Sequence, residues 1–257
     1  MRRNRLMASL VLLAIIIVTA GIAKTHNSAP ASPPSRQGSS LQGNDVEPTI
    51  LFNKNRYSTT DPASLWIVVN KQRPLNPKNY VPSDLVVPAI PLRSEAGNSE
   101  MHVSQTMAPA LEQLVSAALQ EGIGLMLASG YRSYGLQVSV YANEVKNYGQ
   151  TQADRESARP GYSEHQTGLA ADLEPTNRVC EVQDCFANTA EGKWLATNAH
   201  RYGFILRYAK GKEQITGYRY EPWHIRYIGV ELSAQTRSRG IETLEEFFGL
   251  PAAPNYQ

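Results

Sequence analysis

The sequence predicts a single α+β domain: a small antiparallel sheet flanked by helices. Three observations point there. At 257 residues with 42% hydrophobic content, the chain has enough apolar material for an ordinary core. Between Ile50 and Leu250, segments with apolar residues every three or four positions interleave with short apolar runs bounded by glycine. That stretch holds no second low-complexity break and no internal repeat, so one catalytic-size domain accounts for it.

At the N-terminus, Arg2, Arg3 and Arg5 precede an almost unbroken apolar run from Leu6 to Ala23, the pattern of an export signal. Small residues Gly21 and Ala23 fit a cleavage site, while the run is also close to the roughly 20 residues that span a bilayer. Cleaved peptide and retained anchor both stand, so secretion and membrane anchoring through this segment are alternatives. With the basic residues first, the chain beyond Lys24 is expected outside the cytoplasm. Residues 24–48 are rich in Ser, Pro, Asn, Gln and Gly and read as a flexible linker. The domain is expected over 49–250, with 251–257 as a tail.

Within the domain, Met107, Leu111, Leu114, Val115 and Ala118 predict an amphipathic helix over 104–120, stopped by Gly122. The run 123–129 reads as a buried strand, and 134–148 returns to helical spacing. A turn at Thr167-Gly168 leads into a strand over 169–173, in which Leu169, Ala171 and Leu173 face the core and Ala170 and Asp172 the other side. A helix is expected over 189–202, and strands over 204–208 and 223–228.

Charge and cysteines narrow the function classes. Lys and Arg total 25 against 23 Asp and Glu, a net charge of +2 that argues against a nucleic-acid surface. Cys180 and Cys185, the two cysteines of a chain bound for an oxidising compartment, favour a local disulfide; free thiols in a reducing envelope are the alternative.

Chemistry concentrates in three places. The segment 161–173 carries His165 and Asp172 around Gly168; a carboxylate among small apolar neighbours is costly unless a cation or strong donor pairs with it. In 220–227, Pro222 keeps Glu221 extended and starts the strand near Trp223, so His224 and Arg226 share a face that Glu221 overhangs. A catalytic zinc keeps three protein ligands and a water, and a nearby non-ligating carboxylate can take the water's proton. His165, Asp172 and His224 as ligands with Glu221 as base fill that scheme. Arg132, at the end of a buried strand, is placed to hold a carboxylate or oxyanion. Taken singly, each of these residues has a plainer explanation: Asp172 as a cap, Arg132 as a surface ion-pair partner, Glu221 as the residue before a turn proline. Neither a His-Glu-x-x-His helix nor a Gly-x-Ser-x-Gly elbow is present.

Together the blocks Ser129-Gly-Tyr-Arg-Ser-Tyr134 with Gln137, Ser163-x-His165-x-x-Gly168-x-Ala170-x-Asp172, and Glu221-Pro-Trp-His224-x-Arg226 resemble the signatures of the VanY-type D-alanyl-D-alanine carboxypeptidases. The likeness extends over roughly 66–230. It implies the D,D-peptidase zinc fold, which the Hedgehog signalling domain also resembles. One zinc per chain on His165, Asp172 and His224 is implied, with Glu221 as base and Arg132 at the polarised carbonyl. Ser163 and Gln137 would hold the terminal D-alanine. The expected substrates are peptidoglycan stem peptides, the expected state a monomer. Two rivals stand: an L,D-carboxypeptidase acting on tetrapeptide stems, and a non-catalytic wall-binding or signalling module stabilised by zinc.

Overall fold

The computed structural model describes residues 52–257; the segments expected as signal or anchor (1–23) and linker (24–48) lie outside the described residues. Among the described residues, no helix is long and apolar enough to cross a membrane. In chain order the regular elements are β1 (Leu85–Val86), β2 (Val103–Ser104), α1 (Ala108–Gln120), β3 (Leu125–Ser129), α2 (Tyr134–Tyr148), α3 (Gln150–Glu156), β4 (Ala170–Pro175), α4 (Ala190–Asn198), β5 (Phe204–Leu206), α5 (Glu213–Thr216), β6 (His224–Tyr227), α6 (Val230–Arg239) and α7 (Leu244–Phe248). Strands β3, β4, β6 and β5 form, in that order, an antiparallel sheet, and β1 pairs with β2 apart from it.

The first long helix begins later than its apolar spacing suggested. Ser104 is drawn into pairing with Leu85, and its Oγ donates to Asp84 at 2.7 Å. Pro109 then fits the first turn of α1, where its missing donor costs nothing. Leu111, Leu114, Val115 and Ala118 are the buried stripe. Strand β3 also starts late, because the Ile123 N–H is spent on Ala118 O at the helix end. Helix α2 is started by Ser133, whose Oγ accepts from the Leu136 N–H. Strand β5 ends before Arg207, whose side chain is fully buried.

Two apolar clusters make the core. The larger lies under the sheet and includes Leu127, Leu173, Phe204 and Ile225 with Leu111 and Leu195. The smaller joins Leu232 of α6 and Leu244 and Phe247 of α7 to Trp66 and Val68. The segment 66–69 feeds both by alternation, since Ile67 and Val69 belong to the larger cluster.

Residues 251–257, expected as a tail beyond the domain, pack onto it. Ala253 is buried and its N–H bonds Ile215 O, while Lys71 Nζ donates to Pro254 O. The Tyr256 hydroxyl accepts from the Arg159 N–H at 2.8 Å and lies 3.1 Å from the Tyr218 hydroxyl.

Candidate functional site

Strand register builds the site. Ser129 of β3 pairs with Asp172 of β4, and Asp172 with His224 of β6, so three side chains stand abreast across the sheet. Side chains alternate along a strand, so the same register puts Ala171, Leu173 and Ile225 into the core behind them.

His165 arrives from a 3₁₀ turn, Glu164–Thr167, that precedes β4. Gly168 closes the turn at φ +70°, where a Cβ would press on Ser104 N and Leu85 Cδ2 at 3.1 Å, so a side chain is doubly disfavoured. His165 Nδ1 sits 2.7 Å from Gly130 O and the Arg132 N–H bonds His165 O, which locks this turn to the one after β3. The carbonyl fixes the proton on Nδ1 and leaves the Nε2 lone pair facing Asp172 Oδ2 at 3.3 Å. Burial lowers the pKa of His165 and favours the neutral ring. A lone pair against a carboxylate is a poor contact without a cation.

His224 Nδ1 lies 3.1 Å from Asp172 Oδ1 and 3.7 Å from Glu221 Oε2. Burial pulls this imidazole down, but its contacts with Asp172 and Glu164 outweigh that and raise it to about 9. Burial also opposes ionisation of Asp172, yet the two histidines hold it well below the ordinary carboxyl range. Glu221 goes the other way: burial pushes it up to about 8, with His224 pulling back. Nitrogen and oxygen donors of His165, Asp172 and His224 all lie within 4.8 Å of one another. Two imidazoles and one carboxylate, buried and close together, are a donor set that suits a catalytic zinc ion.

The donors form one wall of a cavity of about 300 Å3 that Glu221, Arg132, Gln137 and Ser163 also line. Arg132 is held on three sides: Nε by Glu100 Oε1 at 3.2 Å, Nη2 by Ser129 Oγ at 2.9 Å and Nη1 by Gln137 Oε1 at 3.4 Å. Gln137 spends its amide on Ser157 Oγ and Ala158 O, so in this geometry it braces Arg132 and the 157–158 segment. Cys180 and Cys185 are joined by a disulfide, and Val182 between them lines the same cavity. Every sequence-predicted residue thus sits at the cavity or, for the cysteines, in the loop beside it.

Glu164, Tyr208 and Arg219 are among the cavity residues that were not anticipated. Glu164 and Tyr208 are buried, with the Tyr208 ring 4.8 Å from that of His224. A signal existed. Glu164 adjoins His165 in the densest segment, and Arg207 interrupts an apolar strand; a charge in such a place needs an internal partner.

The chain is similar to known proteins. Residues 100–230 match the family model described as VanY, D-alanyl-D-alanine carboxypeptidase. The Bacillus subtilis protein YodJ, a putative carboxypeptidase by name, is 44% identical over 188 residues, 73% of this chain and 68% of that one. Among solved structures, the LdcB LD-carboxypeptidase superposes with a TM-score of 0.69 at 44% identity, covering 73% of this chain and 87% of the other. A point mutant of the vancomycin-resistance D,D-pentapeptidase VanY from a VanB-type cassette, solved with Zn(II), gives 0.58 at 32% identity over 70% and 97% of the two chains.

Proposed function

Because the chain belongs to the VanY family of D-alanyl-D-alanine carboxypeptidases, we propose that it removes the C-terminal D-alanine from peptidoglycan stem peptides outside the cytoplasm. The enzyme is a zinc metallocarboxypeptidase. The observation that carries the residue roles is convergence: donors from the 3₁₀ turn, β4 and β6 meet a raised-pKa carboxylate and a braced guanidinium in one cavity.

His165, Asp172 and His224 would hold the metal, with His165 Nε2 and His224 Nδ1 as the nitrogens turned to Asp172. When bound, zinc activates a water and polarises the scissile carbonyl. Glu221, beside His224, takes the proton from that water and returns it to the departing amine of D-alanine. Burial pushes its pKa up to about 8, and a neighbouring cation would pull it down, opposing directions that suit a group which must both accept and release a proton. Arg132, already oriented by Glu100, Ser129 and Gln137, meets the negative charge that builds on the carbonyl oxygen without needing to reorganise. Ser163 lines the cavity near the ligands and is assigned to the substrate terminus.

A second reading, an L,D-carboxypeptidase on tetrapeptide stems, is favoured by the higher TM-score and identity to LdcB than to VanY. The two differ in the stereochemistry accepted next to the scissile bond, which pocket shape sets. The test follows alanine release by mass spectrometry from pentapeptide and tetrapeptide stems, with and without chelator. Chelator-sensitive release from the pentapeptide supports the D,D reading, and release from the tetrapeptide alone replaces it with the L,D reading. Bound zinc with neither product would leave a binding or signalling module. Secretion or membrane anchoring rests on the basic and apolar N-terminal run.

A further inference from the structure

Behind the metal-binding face lies a cluster of four charged side chains with no exposure. Glu164 Oε1 accepts from Arg207 Nε and Arg226 Nη1, each at 2.8 Å. Arg207 in turn donates through Nη1 and Nη2 to the two oxygens of Glu245, at 2.9 and 2.7 Å. Glu245 also accepts from Asn70 Nδ2. Two carboxylates and two guanidiniums balance in charge, so the group can stay ionised without water. Two polar atoms are left over. Glu164 Oε2 and His224 Nε2 are both buried without a hydrogen-bond partner, and they face each other at 3.7 Å.

We propose that Glu164 is a positioning residue for His224: it faces the ring as acceptor for the Nε2–H, which leaves the Nδ1 lone pair for the metal, and it is itself held by Arg207 and Arg226, with Arg207 braced in turn by Glu245. The proposal rests on His224 being a metal ligand through Nδ1, the nitrogen turned to Asp172 and Glu221. A neutral imidazole carries one proton, and a carboxylate behind one nitrogen decides which nitrogen carries it. Glu164 and His165 are neighbours in one turn, so a single short segment supplies one ligand and orients another. The support reaches beyond the family-matched stretch, because Glu245 lies on α7, past residue 230. A purely structural cluster would do neither: it would add stability and leave the ring free to present either nitrogen.

The test uses the full chain loaded with zinc. Long-range proton–nitrogen NMR of the histidine rings should show His224 with a proton on Nε2 and the metal on Nδ1; metal on Nε2 overturns the proposal with no variant needed. Glu164→Gln keeps the shape but turns an amide donor or a weaker acceptor to the ring. Its zinc affinity, measured by chelator competition, should fall about 10- to 100-fold, as is usual when a histidine ligand loses its outer partner. Glu164→Asp should recover part of the loss. Unchanged affinity and ring signals with only a lower melting temperature would make the cluster structural and sink the idea. If His224→Ala keeps full zinc affinity, the ligand assignment itself fails, a different result from failure of Glu164 alone.

Discussion

At the scale of single residues, the site separates carboxylates by environment. Asp172, flanked by two histidines, is held ionised, whereas Glu221 is pushed up by burial to about 8. One is suited to hold a cation, the other to exchange a proton. Glu221→Gln should therefore keep zinc and lose turnover by about 10²- to 10⁴-fold in kcat with KM little changed; steady-state kinetics beside metal analysis reads both, and near-normal kcat would remove Glu221 as the base. The zinc-free protein makes a second prediction. His224 rises from an ordinary 6.5 to about 9 and Glu221 from 4.5 to about 8, so in both cases the folded state binds protons more tightly than the unfolded. Their stabilising effect is complete at pH below the unfolded values and is lost as pH climbs through the folded ones. Melting temperature of the chelated protein should fall between pH 6.5 and 9, and a flat or rising profile would contradict the assignment.

At the scale of elements, the site was more legible than its supports. Gly168 after Thr167, and alternation along Leu169 to Leu173, sufficed to place Asp172 opposite the core side, because a left-handed glycine and a period of two leave little freedom. Helices α3, α6 and α7 were not foreseen. In α6 the buried residues are Leu232, Ser233 and Thr236, too polar a stripe to stand out against its surroundings. The cluster around Glu164 was illegible for another reason: its members lie at 164, 207, 226 and 245, and nothing local announces a pairing made by tertiary packing. The Cys180–Cys185 loop carries its own prediction. It presents Val182 to the cavity, and Glu181 and Asp184 approach Arg93 and Arg219 at 3.8 and 3.7 Å. Replacing both cysteines with serine should cost about 2 kcal/mol by the loop-entropy account and raise KM several-fold while zinc stays bound. Unchanged KM would mean that the loop does not touch substrate.

At the scale of the whole molecule, the last seven residues belong to the folded unit. Removing 251–257 takes away the cover over Lys71, Tyr218 and Arg159. A loss of about 2 kcal/mol, or roughly 5 °C in melting temperature, is expected by differential scanning calorimetry; an unchanged melting point would show the packing to be incidental.

The row Ser129, Asp172 and His224 also governs how such a protein tolerates insertions and deletions. Adding or removing one residue inside β4 or β6 would exchange the two faces of that strand, carrying Ile225 or Leu173 into the cavity and a ligand into the apolar core. No graded loss is available there. The connection from 176 to 189 carries none of the three ligands, and only its exposed part, away from the buried Phe186, is free of the ladder. Drift in length is thus easier at the rim, where it reshapes what enters the cavity, while β4 and β6 beneath accept substitution but no change of count; the one register shift in the ladder lies on β3, between Leu127 and Ser129.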